Sequence, residues 1–451
     1  MKEKIEELIK EKKIYELKDV LSNMQVIDIA DSIKDLEINE IAKIIRILNK
    51  DMAADLFSEL PLSIETELLS QLTDKEAVFI INEMFADDAA DVLDEMPANI
   101  VKRILKQCDK DTRSDINKLL NYPDDSAGSV MTVEYAELKS NLTIKQAINT
   151  LRKEIDKYET INVCYVVDNQ RKLLGHLSLK DILLADPSEI VLDVSHKDTI
   201  CVKTTTDQEE VGKLFKKYDL TVMPVVDLED RLVGIITIDD IMDIMEEEAT
   251  EDIEKMAAIS PSDKPYLEIS PWQTWKARIP WLLLLMISAT FTGQIISSFE
   301  TSLAVLPILT AYIPMLMDTG GNAGSQASVT IIRGLSLNQI NFKDIWKVIW
   351  KELRVSMMVG FTLALANFAK LLLIDNMLLK NNAVTLEISL VICLTIFIIV
   401  VVAKFIGCTL PIITKKLGFD PTVMASPFIT TIVDALGLLV YFQVATNLLN
   451  I

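Results

Sequence analysis

Apolar positions along the chain fall into two regimes. Over residues 1–270 they recur as short stripes at helical spacing or as alternating runs, with charged residues between; from Trp281 onward they merge into long apolar stretches. A bilayer span needs ~20 predominantly apolar residues, and five segments meet that length: 281–299, 303–332, 355–374, 388–406 and 425–447. The second is interrupted by PMLMDTGGNAGSQASVTIIRGL at 314–335, where Gly320, Gly321, Asn322, Gly324, Ser325 and Gln326 crowd together. No ordinary spanning helix needs such a run. The pattern predicts non-helical backbone there, which membranes tolerate only where it is buried in protein or lines a wet cavity. Lys and Arg gather in alternate loops: Lys276 and Arg278 before the first segment, Lys343, Lys347, Lys351 and Arg354 between the second and third, Lys415 and Lys416 between the fourth and fifth. The opposite loops hold Glu300, or Asp375, Lys380 and Glu387. Because cytoplasmic loops carry the basic excess, the N-terminus is predicted inside and the C-terminus outside, with Trp272 and Trp275 in an interfacial belt.

The first 270 residues carry two internal repeats. DMAADLFSELP at 51–61 returns as DDAADVLDEMP at 87–97, with a weaker echo, IADSIKDL, at 29–36. Apolar residues at helical spacing between these units predict stacked helix pairs forming a short superhelix. CYVVDNQRKLLGHLSLKDIL at 164–183 returns as MPVVDLEDRLVGIITIDDIM at 223–242. Each copy reads as strand, Asp-initiated turn, second strand after the glycine, then a helix opened by Asp. That pattern resembles the CBS domain, and two in tandem imply one packed pair.

Charge sharpens the division. Residues 271–451 hold 8 of the 66 acids and 12 of the 45 bases, leaving 58 acids against 33 bases, a net −25, for residues 1–270. Phosphate binding needs clustered Lys and Arg, so nucleic acid is excluded as a partner. The five cysteines are scattered, odd in number and never in C-x-x-C spacing, which indicates neither a disulfide framework nor a zinc site and places the polar half in the cytosol. The opening MKEKIEELIKEKK lacks an apolar stretch after its charges and reads as a surface helix rather than a signal peptide.

Asp434, within SPFITTIVDALGLLVYF, is the most informative membrane residue. A mid-span carboxylate costs at least ~2.5 kcal/mol on insertion and usually faces a water-filled path or a partner. Helical spacing puts Pro427, Thr430, Thr431, Gly437 and Leu438 on or near its face. The structural alternative is an ion pair with Lys370 or Lys404 that only joins helices. For the glycine-rich break, carbonyls facing a cation and close helix packing through small residues are both open and compatible. The connector DDIMDIMEEEATEDIE at 239–254 aligns Asp240, Asp243, Glu247, Glu251 and Glu254 on one helical face. Like charges at that spacing cost about 0.2–0.5 kcal/mol per pair, a penalty that a divalent cation would remove; the alternative is a solvated acidic face. In the helical repeats, Asp51, Asp55 and Glu59 recur as Asp87, Asp91 and Glu95; Asp51 and Asp87 read as N-caps, and the later acids sit near helix ends where the macrodipole disfavours them. His176 and His196 match no metal-ligand spacing, and no Walker loop or G-x-S-x-G elbow appears, so nothing indicates an enzyme. His176 aligns with Ile235 of the other repeat and reads as a strand residue.

Together the acidic helical repeats, tandem CBS modules, acidic connector and five-span half resemble the MgtE family of magnesium channels. The most specific pieces are TGGNAGSQASVTIIRGL at 319–335, Asp434, and DDIMDIMEEEATEDI at 239–253. The resemblance implies a multidomain chain: an all-α superhelical repeat domain at 1–124, a tandem CBS (α+β) pair at 125–248, a connecting helix at 249–271 and a five-helix transmembrane domain at 272–451. It implies a homodimer in the cell membrane, with Mg²⁺ both transported and regulatory. Asp434 would hold a hydrated Mg²⁺ in the pore, with Gly320, Gly321, Asn322, Thr430 and Thr431 lining it. Cytosolic Mg²⁺ would close the channel at Asp87, Asp91, Asp219, Asp240, Asp243, Glu248, Glu251 and Asp252, with Glu59 of the preceding repeat. The competing expectation is a CBS-regulated transporter of another divalent cation controlled by an adenine nucleotide such as ATP, with Ser178 and Asp181, or Thr237 and Asp240, gripping its ribose.

Overall fold

Apolar residues at i, i+3 and i+4 bury one face of each short helix between Lys2–Lys10 and Lys110–Leu119. The structure, a computed structural model, describes residues 2–262, 264, 266–267, 269–379, 383–424 and 426–449; Lys380 and Ala425, used above for loop charge and span limits, lie outside the described residues. It divides into two compact units, Met1–Glu246 and Glu247–Ile451.

In the first unit, each N-terminal helix packs on the next but one. Val26–Ile33, Lys50–Ser58, Asp74–Glu83 and Ala98–Leu105 make one layer; Ile38–Ile47, Leu62–Gln71, Ala86–Asp94 and Lys110–Leu119 make the other. The two DxAAD repeats are therefore one helix from each layer. Asp51 and Asp87 do not cap these helices as expected. The caps are Asn49, whose side chain accepts the Met52 N–H, and Phe85, which offers no side chain. Each aspartate instead lies in the first turn, where the macrodipole still favours it. Glu59 and Glu95 fall at the C-caps.

The second repeat forms two three-stranded sheets. β1 (Tyr135–Lys139), β2 (Thr160–Val167) and β3 (Leu173–Ser178) make one, and β4 (Val202–Lys203), β5 (Val222–Val226) and β6 (Leu232–Thr237) the other, each with a parallel then an antiparallel pair. Tyr135, Tyr165, Val167, Val222, Leu232 and Ile235 pack as a shared core cluster between them. The helices that follow β3 and β6 are opened by hydroxyls rather than by Asp. Ser178 and Thr237 each donate to the carboxylate three residues on, Asp181 and Asp240, at 2.5 Å. These carboxylates are thereby occupied in capping. The helix after β6 runs unbroken from Ile238 to Met256, so the connecting helix begins inside the second CBS repeat; Ile241 and Ile244 are its buried positions. Ala258, in a left-handed conformation at φ 56°, follows its end.

Among the described residues, the second unit is built on five long helices, Pro271–Ser298, Ile313–Ser336, Ile345–Lys370, Leu386–Lys416 and Ser426–Leu449. All but the second belong to segments that are both long and apolar enough to cross a membrane. The second packs on the fourth and fifth, the third on the fourth, and the first on the fifth. The glycine-rich run is not a break. It is wholly helical within Ile313–Ser336, and a short helix (Glu300–Val305) and a 3₁₀ turn (Pro307–Tyr312) precede it instead. Its small residues serve packing: a Cβ on Gly320 would stand 2.6 Å from Ile399 Cγ2, one on Gly321 2.8 Å from Thr430 Cγ2, and one on Gly407 2.3 Å from the Gly324 carbonyl oxygen. Close approach of this kind offsets the ~1 kcal/mol that each helical glycine costs.

Candidate cation sites

The Ala86–Asp94 helix starts without a side-chain cap of its own, and the CBS pair supplies one: the Ala86 N–H donates to Glu134 Oε1 at 3.2 Å. Glu134 also accepts from Thr132 Oγ1 at 2.8 Å and the Val133 N–H at 3.1 Å. This join brings Asp87 and Asp88 within electrostatic reach of Asp240, Glu134 and Glu159, and Asp88 within reach of Asp239 and Glu59. Asp87 Oδ1 is buried without a hydrogen-bond partner among the described residues. Burial first, and then Asp88, Asp240, Glu134 and Glu159, push the Asp87 carboxyl well above the usual range. Asp88 is pushed up to about 6 by burial and then Asp240, and Glu159 to about 7 by burial and then Asp240 and Asp239. Behind them Glu65, buried in the neighbouring helix, is pushed up to about 9 by burial, with Asp88 and Asp91 adding to it. Burial and mutual repulsion thus disfavour the charged forms of this cluster of acids.

The other positions named by resemblance are spread more widely. Asp219 is exposed at the end of Gln208–Tyr218 in a left-handed conformation, φ 52°. Asp243, Glu248, Glu251 and Asp252 follow Asp240 along its helix, where Glu251 pairs with Lys255 at 2.6 Å. Asp88, Glu134 and Glu159 escaped the sequence reading. Asp88 could have been found beside Asp87 in DDAAD, whereas Glu134 and Glu159 stand outside any repeat or motif. Among the described residues, no three His, Cys, Asp or Glu side chains converge as ligands of one metal ion. Within the first CBS repeat, His176 lies in β3 as expected, and its ring faces His196 at 5.3 Å.

In the membrane unit, Asp434 lies nine residues into the Ser426–Leu449 helix, with Oδ1 buried and without a hydrogen-bond partner among the described residues. Helix-joining ion pairs do not explain it. Lys370 is taken by Asp375 at 3.0 Å, and Lys404 faces Glu352 at 3.7 Å, both largely buried. Asp434 is accordingly not the lone ionisable residue of the bundle. Asp318, exposed on the second long helix, is within electrostatic reach of it. Gly320 and Gly321 are buried in helix contacts, Asn322 is exposed, Thr430 packs over Gly321, and Thr431 donates back to the Pro427 carbonyl at 2.9 Å.

A CBS pair joined to an acidic helical repeat, in one chain with a helical bundle that holds a buried carboxylate oxygen without a hydrogen-bond partner among the described residues, fits a membrane cation transporter with a regulatory half. Sequence profiles agree along the chain: the MgtE intracellular N domain matches residues 24–125, the CBS domain 127–188 and 191–247, and the MgtE divalent cation transporter family 313–444. The magnesium transporter MgtE of Thermus thermophilus is 38% identical over 77% of this chain and 76% of that protein, and the Bacillus subtilis MgtE is 36% identical over 74% and 72%. The cytosolic domain of an Mg²⁺ channel MgtE, solved in complex with ATP, is 35% identical with a TM-score of 0.52, over 54% of this chain and 100% of that one. The chain belongs to the MgtE family of magnesium transporters.

Proposed function

We propose that the chain is a passive Mg²⁺ pathway of the cell membrane, that Asp434 selects the ion, and that cytosolic Mg²⁺ closes the path by binding the acidic pocket. The observation that carries the permeation reading is the buried Oδ1 of Asp434, which has no hydrogen-bond partner among the described residues, while Lys370 and Lys404 pair with other acids. Mg²⁺ dehydrates reluctantly, so a carboxylate that accepts hydrogen bonds from its water shell can bind it without stripping it. Asn322 and Asp318 would share that path, completed by a second copy of the chain in a homodimer. Asp434→Asn keeps the shape and loses the charge. Uptake of Mg²⁺ into proteoliposomes should fall at least tenfold, against unchanged assembly; normal uptake by the Asn variant refutes the reading.

The regulatory reading is supported by Asp87, whose buried Oδ1 has no hydrogen-bond partner among the described residues and whose charge is repelled by Asp88, Asp240, Glu134 and Glu159. Asp87, Asp88 and Asp240, which do not converge as direct ligands, would hold a hydrated Mg²⁺ through its water shell, with Glu134 and Glu159 adding to its attraction and Asp91, Asp243, Glu248, Glu251, Asp252, Asp219 and Glu59 supplying outer sites. Such an ion removes the repulsion that otherwise loosens the pocket. The relative whose cytosolic domain is in complex with ATP supports ATP as a second ligand of the matching part of this chain. Thermal shift of the purified protein in Mg²⁺ and in ATP separates the two, since neutralising Asp87 and Asp88 should abolish only the first.

A further inference from the structure

We propose that Lys255 is a positioning residue that ties the end of the connecting helix, through Asp420, to the entrance of the fifth long helix and so transmits cytosolic Mg²⁺ to the pore. The inference rests on the reading that internal Mg²⁺ closes the path. Lys255 Nζ lies 2.6 Å from Glu251 Oε1 and 3.0 Å from Asp420 Oδ2, so one ammonium is shared between its own helix and the loop after the fourth long helix. Asp420 is no loose loop acid. Its Oδ1 accepts the Thr422 N–H at 2.8 Å and the Thr422 hydroxyl at 2.5 Å, and Thr422 is buried. These bonds shape the Pro421–Met424 turn, which precedes the helix bearing Asp434. Burial opposes charge on Asp420, yet the Thr422 bonds and the Lys255 ammonium outweigh it and hold its carboxyl below the usual range.

Two further bonds anchor the same junction. The Ser262 N–H donates to Glu254 Oε2 at 3.0 Å, and the Ser260 N–H donates to the Ala277 carbonyl of the first long helix at 3.0 Å. The end of the connecting helix is thus fastened to the membrane bundle at side chain and backbone, and Lys255 joins it to the loop that leads into the fifth helix. A divalent cation at Glu251 would compete with the Lys255 ammonium for that carboxylate. Sensor occupancy then reaches Asp420 as a change in how Lys255 is shared.

The test is patch current against internal Mg²⁺ for the full-length channel. Lys255→Met and Asp420→Asn should each raise the Mg²⁺ needed for half-inhibition by about fivefold or more. Asn at 420 still accepts from Thr422, so that variant removes charge without unmaking the turn. Lys255→Arg should keep the wild-type midpoint, unitary current should be unchanged throughout, and the double variant should shift no further than the larger single. Single variants at the wild-type midpoint, or shifts that simply add, overturn the link while leaving Mg²⁺ gating intact. A wild type indifferent to internal Mg²⁺, matched by a variant neutralised at Asp240, Asp243 and Glu251, overturns both readings.

Discussion

Burial, and then the charge of Asp240, push the Asp88 carboxyl up to about 6 and that of Glu159 up to about 7. For a carboxyl whose folded pKa is raised, the folded state binds more protons than the unfolded one, so stability falls as pH rises from the unfolded value near 4 through the folded values of about 6 and 7. The protein in chelator should therefore melt progressively lower between pH 5 and pH 8, by on the order of 1 kcal/mol or more for each such group. Millimolar Mg²⁺ should flatten the slope, and Asp88→Asn should reduce it. A slope that survives both treatments would place the repulsion elsewhere. At this scale the sequence exposes a residue when its surroundings are improbable: a carboxylate amid apolar residues singles out Asp434. It is silent on Glu134 and Glu159, because ordinary acids in ordinary loops become a pocket only when the helical layers close over the CBS pair.

Helix packing in the membrane unit turns on two glycines. The Gly407 Cα faces the Gly324 carbonyl so closely that a methyl group would sit 2.3 Å from it, whereas a Cβ on Gly293 would meet nothing within 4 Å. Gly407→Ala should destabilise the detergent-solubilised protein by about 1–3 kcal/mol, as overpacking does, and Gly293→Ala should be neutral or slightly stabilising. Equal melting temperatures for the two would contradict the packing account. The same contacts explain why the run around Gly320 misled: clustered glycines signal a broken helix in water and a crowded crossing in a bundle, and composition alone does not distinguish them. The strands and repeated helices were legible because their periodicities, 2 and 3.6, are properties of a single element. Which hydroxyl opens the helix after β3 or β6 depends on a choice between neighbours, and there Ser178 and Thr237 took the place expected of Asp.

Across the whole chain, the loop charges predict the acidic end inside, and five crossings by the long helices would put the two ends on opposite faces of a membrane. In a background without native cysteines, Leu449→Cys should react with an impermeant reagent in intact cells and Lys10→Cys only after permeabilisation; the reverse pattern would invert the topology. The connecting helix adds a consequence of a different kind. Its 19 residues form an unbroken rod of about 28 Å, with the carboxylate of Asp240 near one end and the ammonium of Lys255 near the other. A rod of that sort has an azimuth as well as a length. One alanine inserted after Ala249 turns everything beyond it by about 100°, while seven inserted residues restore the phase to within about 20° and lengthen the rod by about 10 Å. If the helix works as a torsion shaft, the single insertion should abolish Mg²⁺ inhibition and the seven-residue insertion should spare it. Loss of inhibition in both would mean that the helix acts by thrust.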